Sequence, residues 1–127
     1  MQQTITNPGM DEYRWYNQDF DWTHTFDPAG KTIQSAKLDI RAWNIDWGPE
    51  PYWEHNIIYA DGHRIGELTG RNNEWSTTTF SIDPALAAEI LRHGAMSVCI
   101  DIDSTHTTYW WAATIDWSKL TIEWIPA

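Results

Sequence analysis

The stretch DIRAWNIDWGPEPYWEHN (39–56) gathers Asn44, Asp46, Glu50 and Glu54 around Trp43, Trp47 and Trp53, with two prolines and a glycine between them. Oxygen donors of this kind suit a hard cation. Calcium takes about six to eight oxygens from carboxylates, amides and carbonyls. Backbone carbonyls near Gly48 and Pro49 could supply the neutral share. Asp101 and Asp103, on one face at the end of a later β-segment, could supply further charge. The acids form a cluster without EF-hand spacing, so the plainer alternative is a set of solvated loop carboxylates. The expected metal ligands are Asn44, Asp46, Glu50, Glu54, Asp101 and Asp103, with Ca2+ as the ion.

The tryptophans raise a second chemistry. Flat rings projecting from a sheet or loop stack on the apolar faces of sugars, while nearby Asp, Asn or Arg groups bond the hydroxyls. Trp43, Trp47, Trp53, Trp75 and Trp110 are the expected ligand-binding rings, because none has a secure inward position. Arg71, Asn72 and Asn73 precede Trp75 closely enough to add polar contacts. Against this stands the reading that the rings cap the open ends of a small core.

Catalysis finds less support. Glu50 and Glu54 are the nearest to a carboxylate pair for glycoside hydrolysis, which needs two carboxyls about 5–10 Å apart across a bond, and such spacing is common by chance. The five histidines (His24, His55, His63, His93, His106) show no HxH or HExxH spacing, which argues against zinc. Cys99 lies on a wet-face position with no marker of an activating base beside it. No glycine-rich phosphate loop is present. The chain is read as non-enzymatic.

Composition narrows the partners. The chain has 127 residues with 18 Asp and Glu against 8 Lys and Arg, a net charge of −10. Nucleic-acid affinity rests on Lys and Arg displacing counterions, so this balance disfavours nucleic acids and anionic membranes. Cations, neutral ligands such as sugars, and basic proteins fit it better. Ten tryptophans exceed what one small core needs, so some are expected at the surface. A lone cysteine forms no intrachain disulfide. No apolar run approaches the ~18 residues that would span a membrane, and the polar first 20 residues do not read as a signal peptide.

The elements that must position these groups are strands. Residues 1–12 (MQQTITNPGMDE) read as a flexible leader ahead of one domain over 13–127. YRWYNQDFDWTHTF (13–26) is β-prone. In TIQSAKLDIRA, Ala36, Leu38, Ile40 and Ala42 alternate with Ser35, Lys37, Asp39 and Arg41, giving one buried and one wet face. Trp43 follows on the wet parity. HNIIYA–DG–HRIGEL predicts a hairpin with a type I′ turn, Ile58 opposite Ile65 and a bulge near Gly66. WSTTTFSI (75–82) turns Phe80 and Ile82 inward.

One helix is predicted near 84–93, with Asp83 as N-cap, Pro84 in the first turn, Gly94 as the stop, and Leu86, Ile90 and Leu91 buried. MSVCIDI (96–102) sets Val98, Ile100 and Ile102 inward. Near the end, Trp111, Ala113, Ile115 and Trp117 share one parity and Leu120, Ile122 and Trp124 the other, so a bulge is expected near Asp116–Ser118. About seven to nine short strands at near-regular spacing predict an all-β, antiparallel, jelly-roll-like sandwich.

Taken in order, WTHTF (22–26), TIQSAKLDIRAWNID (32–46), IYADGHRIGEL, WSTTTFSID (75–83), the short helix ending in glycine, SVCIDID (97–103) and ATIDWSKLTI (113–122) resemble jelly-roll domains of bacterial exported, surface-anchored and adhesin-like proteins. Those domains are related in shape to galactose-binding-like and carbohydrate-binding sandwiches. The resemblance implies a non-catalytic binding or structural module at the cell surface or outside the cell, often with calcium tightening one loop edge. Such domains often carry further acids where this chain has Asn44 and Trp47. Two alternatives accompany this expectation: a carbohydrate-binding module using surface tryptophans, and a self-assembling subunit of a surface fibre. In the last, the polar leader or the tail TIEWIPA would add a strand to a neighbouring copy.

Overall fold

Alternation decides the longest strands. In Lys31–Trp43, Ala36, Leu38, Ile40 and Ala42 are buried, while Ser35, Lys37, Asp39, Arg41 and Trp43 retain exposure. One face of the pleat is thereby committed to a core. The structure, a computed structural model, describes residues 2–7, 12–14, 20–43, 56–70, 74–102 and 113–127. Its elements are β1 (Gln2–Asn7), β2 (Glu12–Arg14), β3 (Phe20–Thr25), β4 (Lys31–Trp43), β5 (Asn56–Ala60), β6 (His63–Glu67), β7 (Trp75–Ile82), α1 (Pro84–Leu91), β8 (Ala95–Ile102) and β9 (Ala113–Pro126).

The strands form two antiparallel sheets. One runs β1-β9-β4-β7, with β2 also pairing β9, and the other runs β3-β8-β5-β6. Leu38, Ile40, Leu120 and Ile122 of the first meet Ile58, Met96, Val98 and Ile100 of the second in one buried cluster. This is the predicted all-β antiparallel sandwich. The helix α1 links β7 to β8, and so carries the chain from one sheet to the other. Asp83 caps it by accepting from the Leu86 N–H, and Pro84 occupies its first turn. Its buried residues are Ala87, Ile90 and Leu91, with Leu86 only partly covered.

Three local expectations change. Residues 2–7, expected within a loose leader, pair with β9 from Gln2↔Glu123 to Asn7↔Ser118. The β-branched residues of TIT suit a strand, and β9 has a free side to offer them. The tail TIEWIPA likewise pairs inside the chain, up to Lys31↔Pro126. Both segments considered as strand donors to a neighbour are thus already paired within this fold.

The hairpin turn has Asp61 at φ 47 and Gly62 at φ 82, the predicted type I′ geometry. Its register differs, however. Ile58 lies opposite Gly66 and not Ile65, because the irregularity falls between Ile58 and Tyr59. A side chain at Gly66, at φ 153, would put its Cβ 2.8 Å from the Phe80 ring of the other sheet. Only glycine lets this edge close onto Phe80.

The core also holds a polar pair. His24 of β3 and Ser118 of β9 are both fully buried, and His24 Nε2 is hydrogen-bonded to Ser118 Oγ at 2.8 Å. The bond joins the two sheets through the core. Burial holds the His24 pKa down from 6.5 to about 4. The imidazole is therefore neutral in the folded protein at pH values where the unfolded chain already takes up a proton. Stability from this group is complete above pH 6.5 and is lost as pH falls towards 4, by on the order of 3 kcal/mol across the window. Urea denaturation between pH 7 and pH 5 should show the wild type losing stability more steeply than His24→Gln, which keeps a hydrogen-bonding side chain without titrating. Parallel slopes would show that His24 does not cause the acid sensitivity.

Candidate ligand-binding face

The outer surface of the five-stranded sheet is built in rows, because strands in register point their side chains to the same side. Trp43 lies opposite Trp75 on β7 and Thr114 on β9. The next row is Arg41 with Thr77 and Trp117, and the next Asp39 with Thr79 and Lys119. Thr79 Oγ1 donates to Asp39 Oδ1. Trp75 is 44% exposed, and Trp43 and Trp117 are partly covered. Among the described residues, neither Trp43 nor Trp117 packs against the hydrophobic core.

Trp117 belongs to this surface because of the bulge. On β9, Ile115 and Ser118 are both buried, a spacing of three, so Asp116 and Trp117 between them both turn outward. The pairing with β4 steps from Arg41↔Trp117 to Ala42↔Ile115, leaving Asp116 as the extra residue. The parity break in the sequence predicts this bulge within Asp116–Ser118. The parity of Trp117 is corrected: placed with Trp111, Ala113 and Ile115, it belongs to the opposite side.

The extra residue does electrostatic work. Arg41 Nη1 donates to Asp116 Oδ2 in a partly buried ion pair. The guanidinium then lies over Trp75, with Cζ 4.3 Å from the ring centroid. Lys119 Nζ stands 4.5 Å from the centroid of Trp117. Each contact is a cation–π attraction that favours the observed ring orientation. A sugar-binding surface requires rings held in place and polar groups at their edges, and this arrangement supplies both. Arg41, Asp116 and Trp117 were not among the expected site residues. Arg41 reads as an ordinary wet-face charge in the sequence, and Asp116 and Trp117 change sides only once the bulge is placed at Asp116.

Of the expected ligand-binding rings, Trp43 and Trp75 come together as a cross-strand pair. Trp47, Trp53 and Trp110 lie outside the described residues. Of the expected metal ligands, Asp101 is described, and Asn44, Asp46, Glu50, Glu54 and Asp103 are not. Asp101 is a partly exposed β8 residue opposite Ile57. It therefore belongs to the four-stranded sheet, away from the Trp43–Trp75 pair. The end of β8 lies beside the start of β5 at Asn56↔Ile102, so the strands leading to Asp103 and from Glu54 are neighbours. Among the described residues, no three His, Cys, Asp or Glu side chains gather as a metal site would require.

A depression of about 520 Å³ lies elsewhere, between the Asp27–Ile33 turn and α1 at Ala88 and Arg92. Its most prominent cation, Lys31, already donates to the Asp27 carbonyl and sits over the Phe26 and Trp124 rings.

No protein-family model matches the chain, and comparison with curated proteins finds no match. Solved structures do share its shape. One is the CBM36-1 domain of a multidomain xylanase from the hindgut metagenome of Trinervitermes trinervoides, with TM-score 0.53 and 10% identity over 94% of this chain and 96% of that one. Another is a carbohydrate-binding module, CBM36, in complex with calcium and xylotriose, with TM-score 0.50 and 13% identity over 89% of this chain and 78% of that one. At these identities the likeness establishes a shared β-sandwich fold, the kind used by carbohydrate-binding modules.

A double-mutant cycle on Arg41→Ala and Trp75→Ala should report a coupling of about 0.5–1 kcal/mol in unfolding free energy, the size of a partly exposed cation–π contact. Additive effects would mean that the guanidinium does not hold the ring.

Proposed function

We propose that this domain is a non-catalytic carbohydrate-binding module, with the Trp43–Trp75–Trp117 face of the five-stranded sheet as its sugar platform. The observation that carries this reading is Trp75, exposed on a sheet face, opposite Trp43 and held by the Arg41 guanidinium. Indole rings offer the flat apolar surface that stacks on a pyranose, and Arg41, Asp116, Thr77 and Thr79 offer donors and acceptors for its hydroxyls.

Charge supports a neutral ligand. The chain as a whole is strongly acidic, yet the rows of β4, β7 and β9 balance Lys37, Arg41 and Lys119 against Asp39, Asp116 and Glu123. Within those rows formal charge is balanced, three against three. Shared fold with a module of a multidomain xylanase and with a module bound to xylotriose makes plant-type polysaccharides the first ligands to examine. The reading carries with it a location outside the cell, where plant-type polysaccharides are met.

Affinity electrophoresis on gels containing xylan, mixed-linkage β-glucan or mannan tests the platform. The wild type should be retarded by at least one of them, and Trp75→Ala should lose about tenfold or more in affinity, the equivalent of one lost aromatic stack. Retardation by none of the three, or an unaffected Trp75→Ala, would remove the platform.

Calcium enters the proposal as a structural ion. One of the fold neighbours is a complex with calcium, and Asn44, Asp46, Glu50, Glu54, Asp101 and Asp103 carry the oxygen chemistry that would hold it. An ion bound only by the folded state raises stability by mass action. EDTA should then lower the melting temperature by several degrees, and Asp101→Ala should abolish the difference. Coincident melting curves with calcium and with EDTA would dispose of the site.

A further inference from the structure

The outer face does not end at the tryptophans. Continuing along β4, the row after Asp39 is Lys37 with Ser81 and Thr121, and the row beyond it pairs Ser35 with Glu123. Here the surface dips into a groove of about 370 Å³, lined by the polar Ser35, Lys37, Ser81, Thr121 and Glu123 and by the apolar Ala36, Ile82 and Pro84. A volume of this size falls at the small end of ligand pockets, which run about 300–1,000 Å³. One wall is the start of α1, where Pro84 is rigid and its backbone already capped. The other is β9, whose Thr121 hydroxyl lies 3.5 Å from that of Thr4.

The lining differs in kind from the tryptophan end. It has no aromatic ring. Beside its apolar part it has three hydroxyls, of which that of Thr121 is largely covered and already shared with Thr4, one exposed ammonium and one exposed carboxylate. Hydroxyls both donate and accept, ammonium only donates, and ionised carboxylate only accepts. That mixture matches the alternating donors and acceptors of neighbouring sugar hydroxyls, and the two opposite charges leave the groove neutral. The register runs unbroken from Ala36 to Trp43 against β7 and from Ser35 to Arg41 against β9, so the groove and the rings lie on the same face of the sheet. Six residues of strand separate Trp43 from Lys37, a distance of about 20 Å.

We propose, building on the carbohydrate-binding reading above, that Ser35, Lys37, Ser81, Thr121 and Glu123 form a second, hydroxyl-bonding subsite, so that the domain binds a linear oligosaccharide or polysaccharide chain laid along β4. The tryptophan end stacks on one part of the chain, and the groove hydrogen-bonds a part several sugars away. A monosaccharide or disaccharide reaches one end only. Specificity therefore resides in chain length and straightness as well as in sugar identity.

Isothermal titration with linear xylo-, cello- and manno-oligosaccharides, from disaccharide to hexasaccharide, tests this. For the series that binds, affinity should rise about tenfold or more as the chain lengthens enough to reach the groove. The double variant Lys37→Ala/Glu123→Gln should lose about tenfold for the hexasaccharide and leave the disaccharide unchanged, whereas Trp75→Ala should weaken every length. Unchanged binding of the disaccharide by the double variant doubles as the control for folding. Affinity independent of chain length, or a hexasaccharide indifferent to the double variant, would overturn the second subsite and leave the platform standing. Failure of all three series to bind the wild type would overturn both.

Discussion

Between Ile115 and Ser118, strand β9 carries one residue more than β4 can pair. The sheet accommodates it by turning Asp116 and Trp117 to the same side. With strict alternation from Ile115, Trp117 would share its inward parity and leave the outer face. With the extra residue, a carboxylate reaches the guanidinium, the guanidinium settles over Trp75, and three indoles share one surface. The geometry of the outer face thus depends on one unpaired backbone position.

The same bulge shapes the interior. Restoring alternation after Trp117 brings Ser118 into the core, where its hydroxyl lies beyond reach of water. A buried hydroxyl without a partner costs about 1–3 kcal/mol. His24 provides the partner from the opposite sheet, at the expense of burying an imidazole whose protonation the core resists. The polar pair inside and the aromatic face outside are therefore two consequences of one irregularity, separated by the thickness of a single strand.

This arrangement also answers how a strongly acidic chain can offer a neutral surface. Positive side chains are few, and three of the eight stand in the rows of one sheet face, two of them over an indole ring. The proposed stacking at one end and hydroxyl bonding at the other ask for little net charge. Most of the acidic excess lies in segments outside those rows.

Much of the fold was legible in local pattern. Period-two alternation identified β4, β7 and β8 with their buried faces, Asp61–Gly62 identified the turn, and Asp83–Pro84 with Gly94 bounded the helix. Each of these signals is carried by residues close together in the chain. The candidate site was legible only in part. Trp43 and Trp75 could be recognised as outward rings, but nothing local says that they meet, since that depends on the β4–β7 register. The role of Arg41, the side taken by Trp117 and the pairing of residues 2–7 were out of reach for the same reason. Sequence alone determined which residues alternate and where the chain turns, because hydrophobic period and turn stereochemistry act over a few residues. Tertiary structure decided which strands lie side by side and where one of them slips by a residue, because register is set by whole faces packing together across the sandwich.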